Sequence, residues 1–224
     1  MELIIEQTTQ RDVMKLIFIL STVLLLTTGV ANAVEWTASC NSKYSYSNGT
    51  YTFKVKQGKV GGCPYDRIKQ SAGKWEFSER SEVKGKKLGH GKYEWSATVT
   101  IERNCKPSYR STIVQVHGGK NTAQKPMGPP SFLAENYVGK FRGSKNKGTL
   151  VDVPINEPFD VFMTVDFTKD YINTVYYING EHVLSEKEKY KLPKKIYFKF
   201  GVYRVNSNCD AKQTYTNVKL KKLK

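Results

Sequence analysis

From Trp36 onward the dominant period of this sequence is two, and that alternation limits the possible folds more than any other feature. In Tyr93-Glu-Trp-Ser-Ala-Thr-Val-Thr-Ile101, the residues Tyr93, Trp95, Ala97, Val99 and Ile101 take one side, and Glu94, Ser96, Thr98 and Thr100 take the other. Successive side chains of a strand point to opposite faces, so the segment reads as an antiparallel strand with one buried face. Val161, Met163, Val165 and Phe167 repeat the pattern. Asn179-Gly180 lies between two strand-like runs, and both residue types accept the left-handed backbone of a tight hairpin turn. No stretch after Ala33 carries a helical stripe. Many strands with turn signals between them predict a sandwich or jelly roll. The end of the chain, Val218-Lys-Leu-Lys-Lys-Leu-Lys224, reads as a final strand with a solvated lysine face.

The N-terminal segment has a different character. Lys15 precedes an apolar run at 16–26, followed by Ala31-Asn32-Ala33. A positive residue, a short apolar stretch and a small-x-small site predict a secretory signal peptide over 1–33, with Met14 a second candidate start. The run is short for a membrane span. Residues 34–224 then form one domain, large enough to bury a sizeable core. Four cysteines (Cys40, Cys63, Cys105 and Cys209) lie in this part. In an exported chain an even number reads as two disulfides, with Cys40–Cys63 and Cys105–Cys209 favoured among three connectivities. The spacing lacks the paired C-x-x-C of a zinc site. The expected location is extracellular or periplasmic, with no membrane attachment after cleavage, and the expected state is monomeric.

The net charge of +16 restricts partners. Such a basic chain meets nucleic acid, an anionic membrane or a polyanionic sugar. Export and the lack of any nucleic-acid motif favour the sugar. Three strand-like segments have the side chains for it. Ile196-Tyr-Phe-Lys-Phe-Gly-Val-Tyr203 puts Ile196, Phe198, Phe200 and Val202 on an apolar face, and Tyr197, Lys199, Gly201 and Tyr203 on the other. Ile113-Val-Gln-Val-His117 sends Val114 and Val116 one way, Gln115 and His117 the other. Arg80, Glu82 and Lys84 share one side of Arg80-Ser-Glu-Val-Lys84. Were these strands close together in one sheet, its outer face would collect Arg, Lys, Gln, His and Tyr.

In order and content, these segments resemble the three signature strands of the alginate lyases of polysaccharide lyase family 7, whose pattern is R-(S/T)-E-(L/V)-R, then Q-(I/V)-H, then Y-F-K-A-G-x-Y. Two positions depart from it: Lys84 stands for the last Arg, and Phe200 for Ala. Lys lacks the bidentate fork of Arg, so carboxylate contacts at position 84 should differ. Phe200 falls on the apolar face and should only repack the core. The stretches 118–130 and 159–179 also resemble glucuronan- and heparin-type lyases, which leaves the uronate open.

The resemblance implies a concanavalin-like β-jelly-roll sandwich of two antiparallel sheets. It implies β-elimination on an acidic, uronate-containing polysaccharide, alginate first, with glucuronan or a noncatalytic carbohydrate-binding module as alternatives. Arg80 and Gln115 would neutralise the uronate carboxylate, which otherwise opposes loss of the neighbouring proton. His117 would act as base for one epimer, and Tyr203 as acid, or as acid and base for the other. Lys199, Lys84 and Tyr197 are candidate substrate contacts. Glu82, on the same face, suits a role as an orienting ion-pair partner for Arg80 or a lysine. His90 and His182 read as surface residues. No metal or cofactor is expected.

Overall fold

We describe a computed structural model of the chain, covering residues 34–56, 67–69, 75–103, 110–118, 131–135, 138–142, 151–154, 156–189, 194–205 and 209–224. These belong to Val34–Lys224, the larger of two compact units. The expected signal peptide lies outside the described residues, as do Cys63 and Cys105. No cysteine among the described residues is a free thiol.

The described strands are β1 (Thr37–Ala38), β2 (Tyr44–Ser47), β3 (Thr50–Val55), β4 (Arg67–Lys69), β5 (Trp75–Lys84), β6 (Gly91–Arg103), β7 (Arg110–Gly118), β8 (Ser131–Glu135), β9 (Val138–Arg142), β10 (Val151–Pro154), β11 (Pro158–Phe167), β12 (Ile172–Ile178), β13 (Glu181–Glu188), β14 (Ile196–Val205) and β15 (Ala211–Lys222). One sheet runs β1-β5-β14-β7-β8-β9-β10, with β4 on β5; the other runs β13-β12-β11-β6-β15-β3-β2. All described strand pairings are antiparallel.

Alternation places the core where the sequence predicts. Tyr93, Trp95, Ala97, Val99 and Ile101 of β6 are buried, as are Val161, Met163, Val165 and Phe167 of β11. The β12–β13 hairpin turns on Asn179 and Gly180, with φ of 48° and 81°, the left-handed pair a two-residue hairpin requires. On β15, Lys219, Lys221 and Lys222 are exposed, as expected. His90 and His182 are exposed too.

Phe200 packs at the centre of the core. Its ring meets those of Trp36 at 4.8 Å, Tyr215 at 4.9 Å, Tyr51 at 5.3 Å, Phe53 at 5.6 Å and Trp95 at 5.7 Å. These partners come from β3, β6, β15 and the segment before β1, so one side chain ties both sheets together. Truncating so central a ring would cost about 3–5 kcal/mol.

The next residue shapes the site. β14 pairs with β5 without interruption, but between Phe200 and Tyr203 it carries one residue more than β7. Gly201 sits in this bulge with φ of 128°. A Cβ there would lie 2.4 Å from the Ser81 carbonyl oxygen and 2.8 Å from Glu82 Cα, so only glycine fits. Opposite the bulge, the consecutive residues Ile113 and Val114 both belong to the core. The Tyr215 hydroxyl, from the facing sheet, lies 3.0 Å from the Ile113 carbonyl oxygen and 3.2 Å from that of Gly201. Burial pushes this phenol well above its ordinary pKa, so it keeps its one proton among these carbonyls and Gln213 Oε1, 2.7 Å away.

Candidate functional site

The three polar segments are β5, β14 and β7, neighbours in one sheet with β14 in the middle. Their register puts Tyr203 beside Arg80, Gly201 beside Glu82, Lys199 beside Lys84 and Gln115, and Tyr197 beside His117. All eight candidate site residues therefore share one face.

That face is less open than its alternation predicts. Glu82, Gln115 and Lys199 are 0%, 2% and 3% exposed. Buried polar groups need partners, and each here has one. Glu82 Oε2 accepts from Arg80 Nη1 at 2.8 Å and from Lys199 Nζ at 2.7 Å. Its Oε1 accepts from Gln115 Nε2 at 2.5 Å. Gln115 Oε1 lies 2.7 Å from His117 Nε2, and the Arg80 guanidinium lies over the Tyr203 ring, 4.4 Å from its centroid. The four candidate catalytic side chains thus form one chain of contacts, Tyr203–Arg80–Glu82–Gln115–His117. Glu82 is its hub, as an orienting partner should be.

Lys199 is the lysine that pairs with Glu82: its ammonium is buried against that carboxylate, and a desolvated ammonium requires a counter-charge. Arg80, with 13% side-chain exposure against 4% for Lys199, is the more accessible of the two cations. The single carboxylate of Glu82 thus accepts from both cations at once. Lys84 is exposed at the end of β5.

The network also fixes the histidine. An ionised carboxylate only accepts hydrogen bonds, so the amide nitrogen of Gln115 must face Glu82 and its oxygen must face His117. That oxygen accepts as well, so His117 Nε2 carries the proton and Nδ1 keeps the lone pair. Desolvation, then the nearby charges of Lys199 and Arg80, depress the imidazole pKa to about 3. The ring is neutral and competent as a base through Nδ1. A bound carboxylate would offset the two cations and raise its basicity. His117 stacks on Tyr197, with centroids 5.6 Å apart and planes 18° apart. Burial, then the Glu82 charge, raises the Tyr197 pKa, so this phenol stays protonated beside the base.

Sequence reasoning named these residues but missed what supports them: the bulge at Gly201 and the Tyr215 hydroxyl behind it. It also passed over a cavity of about 430 Å³ beside Tyr197, lined by Glu35, Thr37, Lys84, Gly85, Lys86 and Lys87. The run Lys84-Gly-Lys-Lys87 was its only trace in the sequence. Among the described residues, no group of three or more His, Cys, Asp or Glu side chains could hold a metal ion.

No family model matches this chain, and no curated protein matches its sequence. Solved structures do. An alginate lyase of polysaccharide lyase family 7, AlgAT5, superposes with a TM-score of 0.54 at 14% identity, over 82% of this chain and 84% of that one. An alginate lyase from Alteromonas sp. 272 gives 0.52 at 15% identity, over 84% and 94%. A polysaccharide lyase of family 18, aly-SJ02, gives 0.51 at 14% identity, again over 84% and 94%. The chain has the all-β jelly-roll fold of these structures, two antiparallel sheets packed face to face.

Proposed function

We propose that this chain is a secreted polysaccharide lyase that cleaves a uronate-containing polysaccharide, alginate first among the candidates, by β-elimination. One observation carries the reading: Tyr203, Arg80, Gln115 and His117 are joined through a buried Glu82 on three adjacent strands. The fold they stand on is that of solved alginate lyases.

Arg80 and Gln115 meet the uronate carboxylate. Arg80 brings its guanidinium, and Gln115 its remaining amide proton. Neutralising that carboxylate makes the proton on the adjacent ring carbon removable. His117 Nδ1 takes the proton, or Tyr203 does for the opposite epimer. The electron pair left behind forms the ring double bond, the glycosidic C–O bond breaks, and Tyr203 delivers a proton to the departing oxygen. The product carries an unsaturated uronate end. Outside this site, the Cys40–Cys63 and Cys105–Cys209 bridges would brace the exported domain.

Incubation of residues 34–224 with alginate, glucuronan and heparin-type chains, followed by ultraviolet absorbance of the unsaturated ends, tests the proposal. The expected result is a rising signal on alginate that Tyr203→Phe abolishes while polysaccharide binding persists. A rise on glucuronan alone would reassign the substrate. Retention of the polymers by folded protein, with no unsaturated ends on any of them, would leave a binding module in place of an enzyme.

A further inference from the structure

We propose that the cavity beside Tyr197 is an anion subsite in which Lys86 and Lys87 hold carboxylates of sugar units flanking the one that reacts. The inference rests on the polyuronate reading above and extends it to residues outside the three signature segments.

The cavity, of about 430 Å³, is bordered by Lys84, Lys86 and Lys87 against the single carboxylate of Glu35. Three ammonium groups and one carboxylate give the space a net positive character. Thr37 supplies a hydroxyl able to pair with a sugar hydroxyl. The position is as telling as the charge. Tyr197 lines the cavity and stacks on His117, so cavity and reacting centre share a wall. Lys84 is four residues from Arg80 on the same face of β5, roughly 13 Å along an extended strand. A polymer that extends from the centre past Tyr197 would enter this cavity, and the ligand class follows: a chain with a carboxylate on each unit.

The local backbone explains why the lysines stand there. Beyond Lys84 the chain stays attached to β14 through the Gly85 amide, which donates to the Phe198 carbonyl at 3.0 Å, and through the paired Leu88 and Ile196 backbones at 2.7 and 2.9 Å. Lys86 and Lys87, both exposed, are thus carried on a segment pinned at both ends. A Cβ at Gly85 would come within 3.0 Å of the Trp36 ring, so glycine lets this segment lie against Trp36. An anion-binding pair on a fixed segment loses less entropy on binding than one on a free loop.

The test compares wild type with Lys86→Gln/Lys87→Gln, which removes both charges and keeps a polar side chain one atom shorter. Polymer retention by affinity electrophoresis and steady-state kinetics are read separately, on polymer and on trimer. Exposed charge contacts are each worth roughly up to fivefold. The expected result is a polymer KM raised about tenfold with kcat unchanged, a smaller change on trimer, and weaker retention that converges with wild type at high salt. Equal retention and equal polymer KM in the two proteins would overturn the subsite. If wild type yields no unsaturated ends on any uronate polymer, the lyase reading fails, and retention alone still decides whether Lys86 and Lys87 bind the polyanion.

Discussion

Replacing Glu82 with glutamine should disable this protein in two separable ways. Glu82 is fully buried and accepts from Arg80, Lys199 and Gln115 at 2.8, 2.7 and 2.5 Å. The Coulomb attraction of one ion pair at such distances is about 6 kcal/mol at an effective dielectric of 20, and desolvation of the charges offsets much of it. Removing the carboxylate therefore takes from the ammonium of Lys199, 4% exposed, the ion pair it makes at 2.7 Å. Breaking a buried pair in this way costs about 3–5 kcal/mol, a large share of a typical domain's stability. Lys199→Met should cost less, since Glu82 keeps Arg80 and Gln115. In the double variant both members of the pair are gone, so a coupling of about 1–3 kcal/mol should reappear as recovered stability. Denaturant unfolding of the four proteins measures this cycle. The second effect is on orientation. A glutamine at 82 can donate as well as accept, so the Gln115 amide is no longer forced to present its oxygen to His117. The histidine should then populate both neutral tautomers, visible in its ring nitrogen shifts. Strictly additive stabilities, together with an unchanged single tautomer in Glu82→Gln, would refute the hub role.

Further outcomes follow from the same contacts. His117 should stay neutral from pH 8 to pH 5 in the free protein, with its proton on Nε2; a midpoint near 6.5 by nitrogen NMR would contradict its burial. Its folded pKa, about 3, lies below the unfolded value of about 6.5, so between these the unfolded chain binds more protons and the contribution of His117 to stability falls as pH drops. Denaturation midpoints at pH 7 and pH 4.5 should show that loss, and His117→Gln, which does not titrate, should reduce it. Gly201→Ala should cost about 3 kcal/mol or prevent folding, because its Cβ meets backbone atoms at 2.4 and 2.8 Å; unaltered thermal unfolding would rule the strain out. Tyr215→Phe should lose about 1–3 kcal/mol in denaturant unfolding by removing the hydroxyl behind the bulge.

The fold was legible because alternation records one buried face, and burial is what a sheet of this kind requires. Tyr93 to Ile101 and Val161 to Phe167 are read correctly from period alone. The candidate site came from the resemblance of three segments to signature strands; alternation added only that Arg80 and Glu82, Gln115 and His117, and Lys199 and Tyr203 share a face within their own strands. Strand order was not readable, since antiparallel pairing of β14 between β5 and β7 depends on contacts 78 or more residues apart in sequence. The burial of Lys199 on that face was equally hidden. Alternation gives the face of a side chain but not whether neighbours cover it, and here Arg80, Glu82 and Gln115 bury one another and the lysine with them. The Cys40–Cys63 and Cys105–Cys209 pairings fall partly outside the described residues.

Phe200 and Gly201 show why the core and the site cannot vary independently. Phe200 anchors β14 against five aromatic rings, which fixes the strand's depth between the sheets. One residue later, the bulge at Gly201 adds a step relative to β7, so that Tyr203 meets Thr112 while still facing Arg80 on β5. Without that step Tyr203 would sit one residue out of phase with β7, and the contact chain to His117 would have to close on a different register. Bulges that re-aim side chains cost a ladder bond and local strain. This one is stable because the Tyr215 hydroxyl meets nearby carbonyls from the core side and Glu82 gathers the charges on the other. A substitution that relaxed the bulge should therefore stabilise the sheet and misplace Tyr203 together, so greater stability and lost turnover would arise from a single cause.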